Sequence, residues 1–493
     1  MKICFMCDLH LPFDQGAMPY DVLRWAIEDA VKMQTDCIAF AGDITCDGRE
    51  EVYRTCIRAL EETGIPVLYV PGNSDLRCPQ SRAILACCAS PCKNEFGEVV
   101  IYAVNDADGS VSQEQMAQLE SADDGSIVFM HHPIDSHDAQ TVEWLRAWRE
   151  SHAGVMLFFG HLHRFFVDGD GVSLQAMDPD KAIGECPCIT YYDTESHEVH
   201  RAHYSLPVPT DLYGYFGVSC YDPIGHVSFA IQNGLAYLEL RPNALFANET
   251  ALCEAIQAWR EAGGIGLSVH LPDIGWDGDA VVEDESLERL LSLTSLLHAD
   301  RVTQHVPKVA VGAVRQDPEV LEKISARLGA RLDALSHDVV VGVENMHMTA
   351  AERADDTRRF GYIPEECLAF MESLGRHTRH RVGINFDIGH ARNNAPYSQT
   401  YQIGTWMSLL GEHVVGYHIH QVKKDGDVFE NHVAIDDVYG CLISYASFFG
   451  YWSRGRIQHA PVIFEMRPKD AYETTLKTFS RHWDATALDG ARS

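Results

Sequence analysis

The chain has 493 residues, 46% of them apolar and 22% charged, which is the balance of a globular protein of two or three domains and excludes wholesale disorder. Its formal charge of −32 weighs against a surface built to grip a polyanion, because nucleic-acid binding relies on basic surface. No apolar run approaches the ~20 residues that span a bilayer, and Met1-Lys2-Ile3-Cys4-Phe5 runs straight into a strand-like segment with no leader pattern, so a cytoplasmic protein is expected.

In chain order, short apolar runs at Ile3–Cys7, Cys37–Ala41, Val67–Val70, Val99–Val104, Ile127–Met130 and Val155–Phe159 predict buried strands. Asp21–Met33 and Glu50–Glu62 predict amphipathic helices between them. This first domain is expected over 1–205, with a proline-containing linker over 206–211. A second rhythm follows over 212–480, ahead of a tail at 481–493. Strands are predicted at Phe216–Cys220, Ala236–Leu240, Gly266–His270, Arg301–His305, Val339–Glu344, Val382–Phe386, Val414–Ile419 and Val462–Glu465. Helices such as Glu249–Ala262, Ser286–His298, Pro318–Leu335 and Pro364–His377 separate most of them. Eight alternations over ~270 residues is the period of a (β/α)8 barrel, whose chemistry sits at the C-terminal ends of its strands. The fifteen cysteines, an odd number in a long chain, predict small buried thiols rather than disulfides. Cys4-x-x-Cys7 and Cys186-x-Cys188 lack a second pair at zinc-site spacing.

Five segments of the first domain carry chemistry: Asp8-Leu9-His10, Gly42-Asp43, Gly72-Asn73-Ser74-Asp75, His131-His132-Pro133 and Gly160-His161-Leu162-His163. Each falls just after a predicted strand, so one sheet edge gathers carboxylate, imidazole and amide ligands. Two divalent ions ~3.5–4 Å apart need a bridging carboxylate with further ligands on either side. Asp43 is expected to bridge, with Asp8, His10 and His163 completing one ion and Asn73, His131 and His161 the other. These motifs, in this order, resemble the calcineurin-like metallophosphoesterase family over about the first 200 residues. The resemblance implies a four-layer α/β sandwich holding two Mn, Fe or Zn ions, with in-line attack on phosphorus. Asp43 and Asn73 are then catalytic as well as ligating. Where that family has a histidine directly after the asparagine, this chain has Ser74, a poor general acid. Ser74 is read as a substrate contact and His132 as a candidate acid, and the role of Asp75, which would orient the missing histidine, is open.

In the second domain, strand ends supply His270, His305, Glu344, Asp387 with His390, His418 and Glu465, and a later connection adds Glu430-x-His432. The strings Ser268-Val269-His270-Leu271-Pro272, Val343-Glu344-Asn345, Phe386-Asp387-Ile388-Gly389-His390, Tyr417-His418-Ile419-His420 and Phe464-Glu465 resemble the xylose isomerase-like TIM barrels. That superfamily spans sugar isomerases and epimerases and endonuclease IV. The isomerase resemblance implies one metal on Glu344, Asp387, His418 and Glu465, with the two glutamates also moving protons. The endonuclease IV resemblance implies that all nine residues hold three zinc ions. One to three Zn or Mn ions are therefore expected. Arg467, two residues past Glu465, is expected to hold a substrate phosphate or carboxylate.

The whole reads as a metal-dependent phosphoric ester hydrolase acting on a small phosphorylated or sugar-like substrate. The barrel is either a second hydrolase centre on a sugar phosphate or related phosphodiester, or a sugar phosphate isomerase or epimerase. A nuclease acting on damaged nucleic acid is the third reading, and the charge opposes it.

Overall fold

The computed structural model describes residues 1–169, 171–241, 248–349, 351–352, 358–425, 428–440, 442–467 and 470–490. The chain divides into two compact units, Met1–Leu206 with Val438–Ser447, and Pro207–Asp437 with Phe448–Ser493.

The first unit is a four-layer sandwich. One sheet has five strands in the order Val199–His203, Cys188–Asp193, Lys2–Met6, Cys37–Ala41, Val67–Val70. The other has six, in the order Lys93–Phe96, Val99–Ala103, Ile127–Met130, Met156–Phe159, Gly171–Ser173, Phe166–Asp168. Between the sheets Ile3, Phe5, Ala39, Ile101, Phe129 and Phe158 form one apolar core, with Phe5 stacked on Phe158 at 3.9 Å between ring centroids. Helices cover the outer faces. Glu50–Glu61 turns Val52, Tyr53, Cys56, Ile57 and Leu60 inward, the three-and-four spacing that puts side chains on one helical face. The strand Cys188–Asp193 and the edge strand Val199–His203 were not among the predicted ones. They pair antiparallel across a short turn, and the second alternates too many polar residues to stand out.

The second unit closes on itself. Eight parallel strands, Phe216–Cys220, Tyr237–Leu240, Gly266–His270, Arg301–His305, Val340–Glu344, Arg381–Asp387, Val414–Ile419 and Val462–Phe464, form a barrel in sequence order, and the first pairs with the last through Phe216 and Val462. Register places His305 beside Glu344 and Asp387 beside His418, so ligand-type residues meet at one rim. Two hairpins rise from connections, Ile274–Trp276 with Val281–Glu283 and Gln421–Asp425 with Val428–Val433. The cysteines among the described residues are unpaired, and none of the helices searched is long and apolar enough to cross a membrane.

Candidate metal centres

In the first unit each motif occupies the turn leaving a parallel strand. Asp8, His10, Asp43, His161 and His163 all have left-handed backbone, with φ of 49°, 46°, 55°, 69° and 57°. Side chains other than glycine adopt that conformation only where the surroundings force it, and such positions cluster at functional sites. The turns bring the ligands into two groups. In one, Asp8 Oδ1 lies 3.4 Å from His163 Nε2 and 3.9 Å from His10 Nε2. In the other, Asn73 Oδ1 lies 3.0 Å from both His131 Nε2 and His161 Nδ1. Asp43 faces both groups, with Oδ2 at 3.6 Å from His10 and Oδ1 at 3.5 Å from His131.

The donor set fits a pair of divalent ions. Asp8 Oδ1 is buried without a hydrogen-bond partner, an expensive condition for a carboxylate unless a cation takes it up. Asp8, His10 and His163 would hold one ion, Asn73, His131 and His161 the other, and Asp43 both. His131 sets Nδ1 3.0 Å from the Ala41 carbonyl, an arrangement that keeps Nε2 toward the ligand group. Burial alone would lower the pKa of His131, but the charges of Asp43 and Asp8 outweigh it and push it up to about 9. His161, buried and beside His131, falls to about 4. Gly72 is required here: a Cβ would stand 2.3 Å from Asp43 Oδ1.

Ser74 departs from the sequence expectation. It is completely buried, and its hydroxyl donates to the Thr45 carbonyl at 2.6 Å while its N–H donates to Asp43 Oδ1 at 2.7 Å. It braces the ligand loop instead of facing a substrate. Asp75 acquires a different role for the same reason. With no imidazole to orient, its carboxylate accepts the N–H groups of Ile44, Thr45 and Gly72 and the Thr45 hydroxyl, at 2.8–3.2 Å. Burial, then the charge of Asp43, raises its pKa to about 6. His132 packs against the ligand His161, ring centroids 4.6 Å apart. The sequence reading missed what holds it: Asp106 accepts the N–H groups of His131 and His132 and lies 3.0 Å from His137 Nε2. The signal was present, since Asp106 also follows a strand, Val99–Ala103.

The barrel rim gathers eight of its nine predicted ligands. Glu344 Oε1, Asp387 Oδ2, His418 Nδ1 and Glu465 Oε2 are all buried without a hydrogen bond. They converge, with His418 Nδ1 at 2.8 Å from Glu465, 3.3 Å from Glu344 and 3.9 Å from Asp387. Four orphaned donor atoms at one point fit a divalent ion. His270, His305 and Glu344 form a second group of potential ligands, and His390, His420 and His432 a third. Glu344 belongs to the first two, since Oε2 lies 3.2 Å from His270 Nε2 and 3.8 Å from His305 Nε2. Glu430 is corrected: it is exposed on its hairpin, because left-handed backbone at His432, φ 61°, breaks the alternation that would put residues 430 and 432 on one face. His420 takes its place in the third group, with Nε2 3.3 Å from Asp387 Oδ1. The signal was its spacing of two from His418, just past the end of the strand Val414–Ile419.

Three more residues escaped the sequence reading. Glu239, at the end of the second barrel strand, lies 3.1 Å from His418 Nε2 and accepts the Thr303 hydroxyl at 2.6 Å. Burial would raise its pKa, but His418 and Arg241 hold it down to about 2. Arg241 lies 2.5 Å from Glu465 Oε1. Asp273 lies 2.7 Å from His305 Nδ1 and 2.6 Å from Lys308 Nζ, the carboxylate–imidazole pairing that orients a ligating histidine. Above the ligands opens a cavity of about 430 Å³, lined in part by Tyr221, Pro272, Met346 and the exposed Arg467.

A sandwich and a barrel, each with carboxylates and imidazoles converging at strand ends, define a protein of two domains with a candidate metal centre in each. The xylose isomerase-like TIM barrel profile matches residues 227–482, and the chain belongs to that family. Residues 1–177 are a calcineurin-like phosphoesterase superfamily domain. Both families are typically enzymes that bind divalent metals, and the phosphoesterases are hydrolases. No curated protein sequence matches the chain. Similar solved structures include a D-tagatose 3-epimerase-like protein, 16% identical over 56% of this chain and 99% of that one, TM-score 0.37. A xylose isomerase domain protein from Alicyclobacillus acidocaldarius is 20% identical over 55% and 97%, TM-score 0.37. A dimetal phosphatase from Danio rerio is 15% identical over 42% and 99%, TM-score 0.31. Likenesses this distant say nothing of what this chain acts on.

Two outcomes follow from the geometry. Ions bound at about 100 times their dissociation constant stabilise by about 2.7 kcal/mol, so stripping the metals with a chelator lowers the melting temperature by roughly 5–10 °C; an unchanged transition would mean that no ion is held. Asp273→Asn weakens the binding of one barrel ion about 10–100-fold in a chelator-competition titration of the full chain, and Asp273→Glu restores part of it. Equal affinity in wild type and Asp273→Asn would show that His305 needs no such support.

Proposed function

We propose that the first unit hydrolyses a small phosphate ester at a two-ion centre. We propose also that the barrel carries a second centre, of up to three ions, acting on a sugar phosphate or related phosphodiester. The observation that supports the first reading is the carboxylate of Asp43 set between two ligand groups, 3.6 Å from one and 3.5 Å from the other. Zinc, manganese or iron suits such a mixture of imidazole and carboxylate, and a pair of such ions supplies electrophilic stabilisation of phosphoryl oxygens and a nucleophile at neutral pH. The protein's own part is to fix the ligands on strained turns and to handle the leaving group. Ser74 contributes no proton, because its hydroxyl is committed to Thr45. His132, held by Asp106, is the nearest imidazole outside the ligand set. Esters with activated leaving groups are therefore the better substrates.

For the barrel, three ligand groups at one rim support the hydrolase reading, and Arg467 at the cavity mouth suits a phosphate or carboxylate. One observation favours the isomerase or epimerase reading: the four orphaned atoms around His418 Nδ1 suffice for a single ion, with Glu344 and Glu465 left on either side of it to move protons. Metal content separates the two. A barrel that retains one ion per chain after the first unit's ligands are mutated is an isomerase-type centre, and more than one supports hydrolysis. With a formal charge of −32 the substrate is small, since a duplex gains little from counterion release here.

Asp43→Ala abolishes hydrolysis of an activated aryl phosphate and lowers metal content together; near-wild-type turnover would sink the two-ion mechanism. No ligand is common to the two sets, so Glu344→Gln lowers barrel metal binding and leaves aryl phosphate hydrolysis within about twofold. Loss of hydrolysis in folded Glu344→Gln protein would overturn the assignment of two centres.

A further inference from the structure

His10 is buried, and its two ring nitrogens face different surroundings. Nε2 looks into the first ligand group, 3.3 Å from His163 Nε2, 3.6 Å from Asp43 Oδ2 and 3.9 Å from Asp8 Oδ1. Nδ1 meets the side chain of Ser74, whose Oγ lies at 3.4 Å. A ligating imidazole is neutral and carries one proton. Nε2 has a lone pair to offer an ion only if that proton sits on Nδ1.

Ser74 decides between the two nitrogens because its own proton is already committed. The hydroxyl donates to the Thr45 carbonyl at 2.6 Å, so toward His10 the oxygen can only accept. Thr45 is fixed in turn, since its N–H and its hydroxyl both donate to Asp75 Oδ1 at 2.8 Å. The backbone closes the arrangement. The His10 N–H donates to the Asp43 carbonyl at 2.9 Å, and the Leu11 N–H to the Ile44 carbonyl at 2.8 Å. His10 and Thr45 therefore hang from the same turn, with the Ser74 hydroxyl between them. Ser74, Thr45 and Asp75 are completely buried, where linked hydrogen bonds strengthen one another. His131 has the same support in simpler form, from the Ala41 carbonyl at Nδ1.

We propose that Ser74 is a positioning residue of the first unit's centre: carried by Asp75 and Thr45, it keeps the His10 proton on Nδ1 and leaves Nε2 for the ion shared with Asp8 and His163. This rests on the two-ion reading above. A contact of 3.4 Å is long for a hydrogen bond, and its effect is to select one tautomer of a buried ring. Ser74 stands where an acid for the leaving group was expected, and it acts instead on the affinity of one ion, through His10. Asp75, with no imidazole of its own to orient, serves the same end at one remove.

The test uses the full chain, titrated with cobalt by equilibrium dialysis, and the metal-free chain labelled with 15N-histidine. Ser74→Ala keeps the N–H given to Asp43; it weakens one cobalt ion about 10–100-fold and leaves the others at wild-type affinity. In a His10→Ala background the same substitution has no further effect on that ion, because His10 is the route by which it acts. The His10 ring, assigned by the signals that His10→Ala removes, is the Nδ1–H tautomer in the wild type and shifts toward the Nε2–H form in Ser74→Ala. Ser74→Cys, whose sulfur is a weak acceptor, replaces the alanine variant should that one fail to fold. Wild-type cobalt affinity in the variant, an equal further loss in the His10→Ala background, or an Nε2–H ring in the wild type would overturn the role of Ser74 while leaving the two-ion reading standing. A wild type that binds no more cobalt than Asp43→Ala would overturn both.

Discussion

A buried carboxylate must be met by charge or by hydrogen bonds, and the first unit is arranged around one that is met by both. Asp43 stands between two imidazole groups at about equal distance. Gly72 has no side chain because the Asp43 carboxylate occupies the place of its Cβ. The N–H of Ser74 fixes Oδ1, and Asp75 ties the turn that follows Asp43 to the turn that carries Asn73. Remove that carboxylate and the Asp8 group and the Asn73 group would lose the residue they share, leaving their imidazoles mutually repulsive when protonated.

The barrel solves the same problem with a different scaffold. Parallel strands in sequence order bring Glu344 level with His305, and Asp387 level with His418. Glu344 then turns one oxygen to His418 and the other to His270. Glu239 anchors the far side of the His418 ring, so the imidazole is oriented from behind, as ligating histidines generally are. A rigid ring of strands makes this possible without the strained turns of the sandwich; among the barrel's ligand-type residues, His432 has left-handed backbone, and it lies on a hairpin.

Much of this was legible. Strands made of unbroken apolar runs, such as Cys37–Ala41 and Ile127–Met130, declared themselves because both faces are covered. The ligands declared themselves because they follow those runs directly. What escaped depended on side-chain direction. Glu430 and His432 have the spacing of a shared face, and a single left-handed residue undoes it. Ser74 occupies the position of a catalytic residue, yet its orientation toward Thr45 cannot be read from a string of letters. Glu239 and Asp273 sit behind ligands instead of among them, and Asp106 looked like one more aspartate in a loop.

The left-handed turns of the sandwich carry a cost that is paid whether or not a substrate is present. A residue other than glycine loses roughly 1–2 kcal/mol in that conformation, and five metal-ligand positions adopt it. At each of them glycine would relax the backbone, yet glycine has no atom to offer a metal. Selection for thermal stability alone would therefore erode this centre one ligand at a time, leaving a sturdier sandwich with nothing at its edge. The aspartates and histidines that persist there mark where folding has been held below its optimum in the service of chemistry.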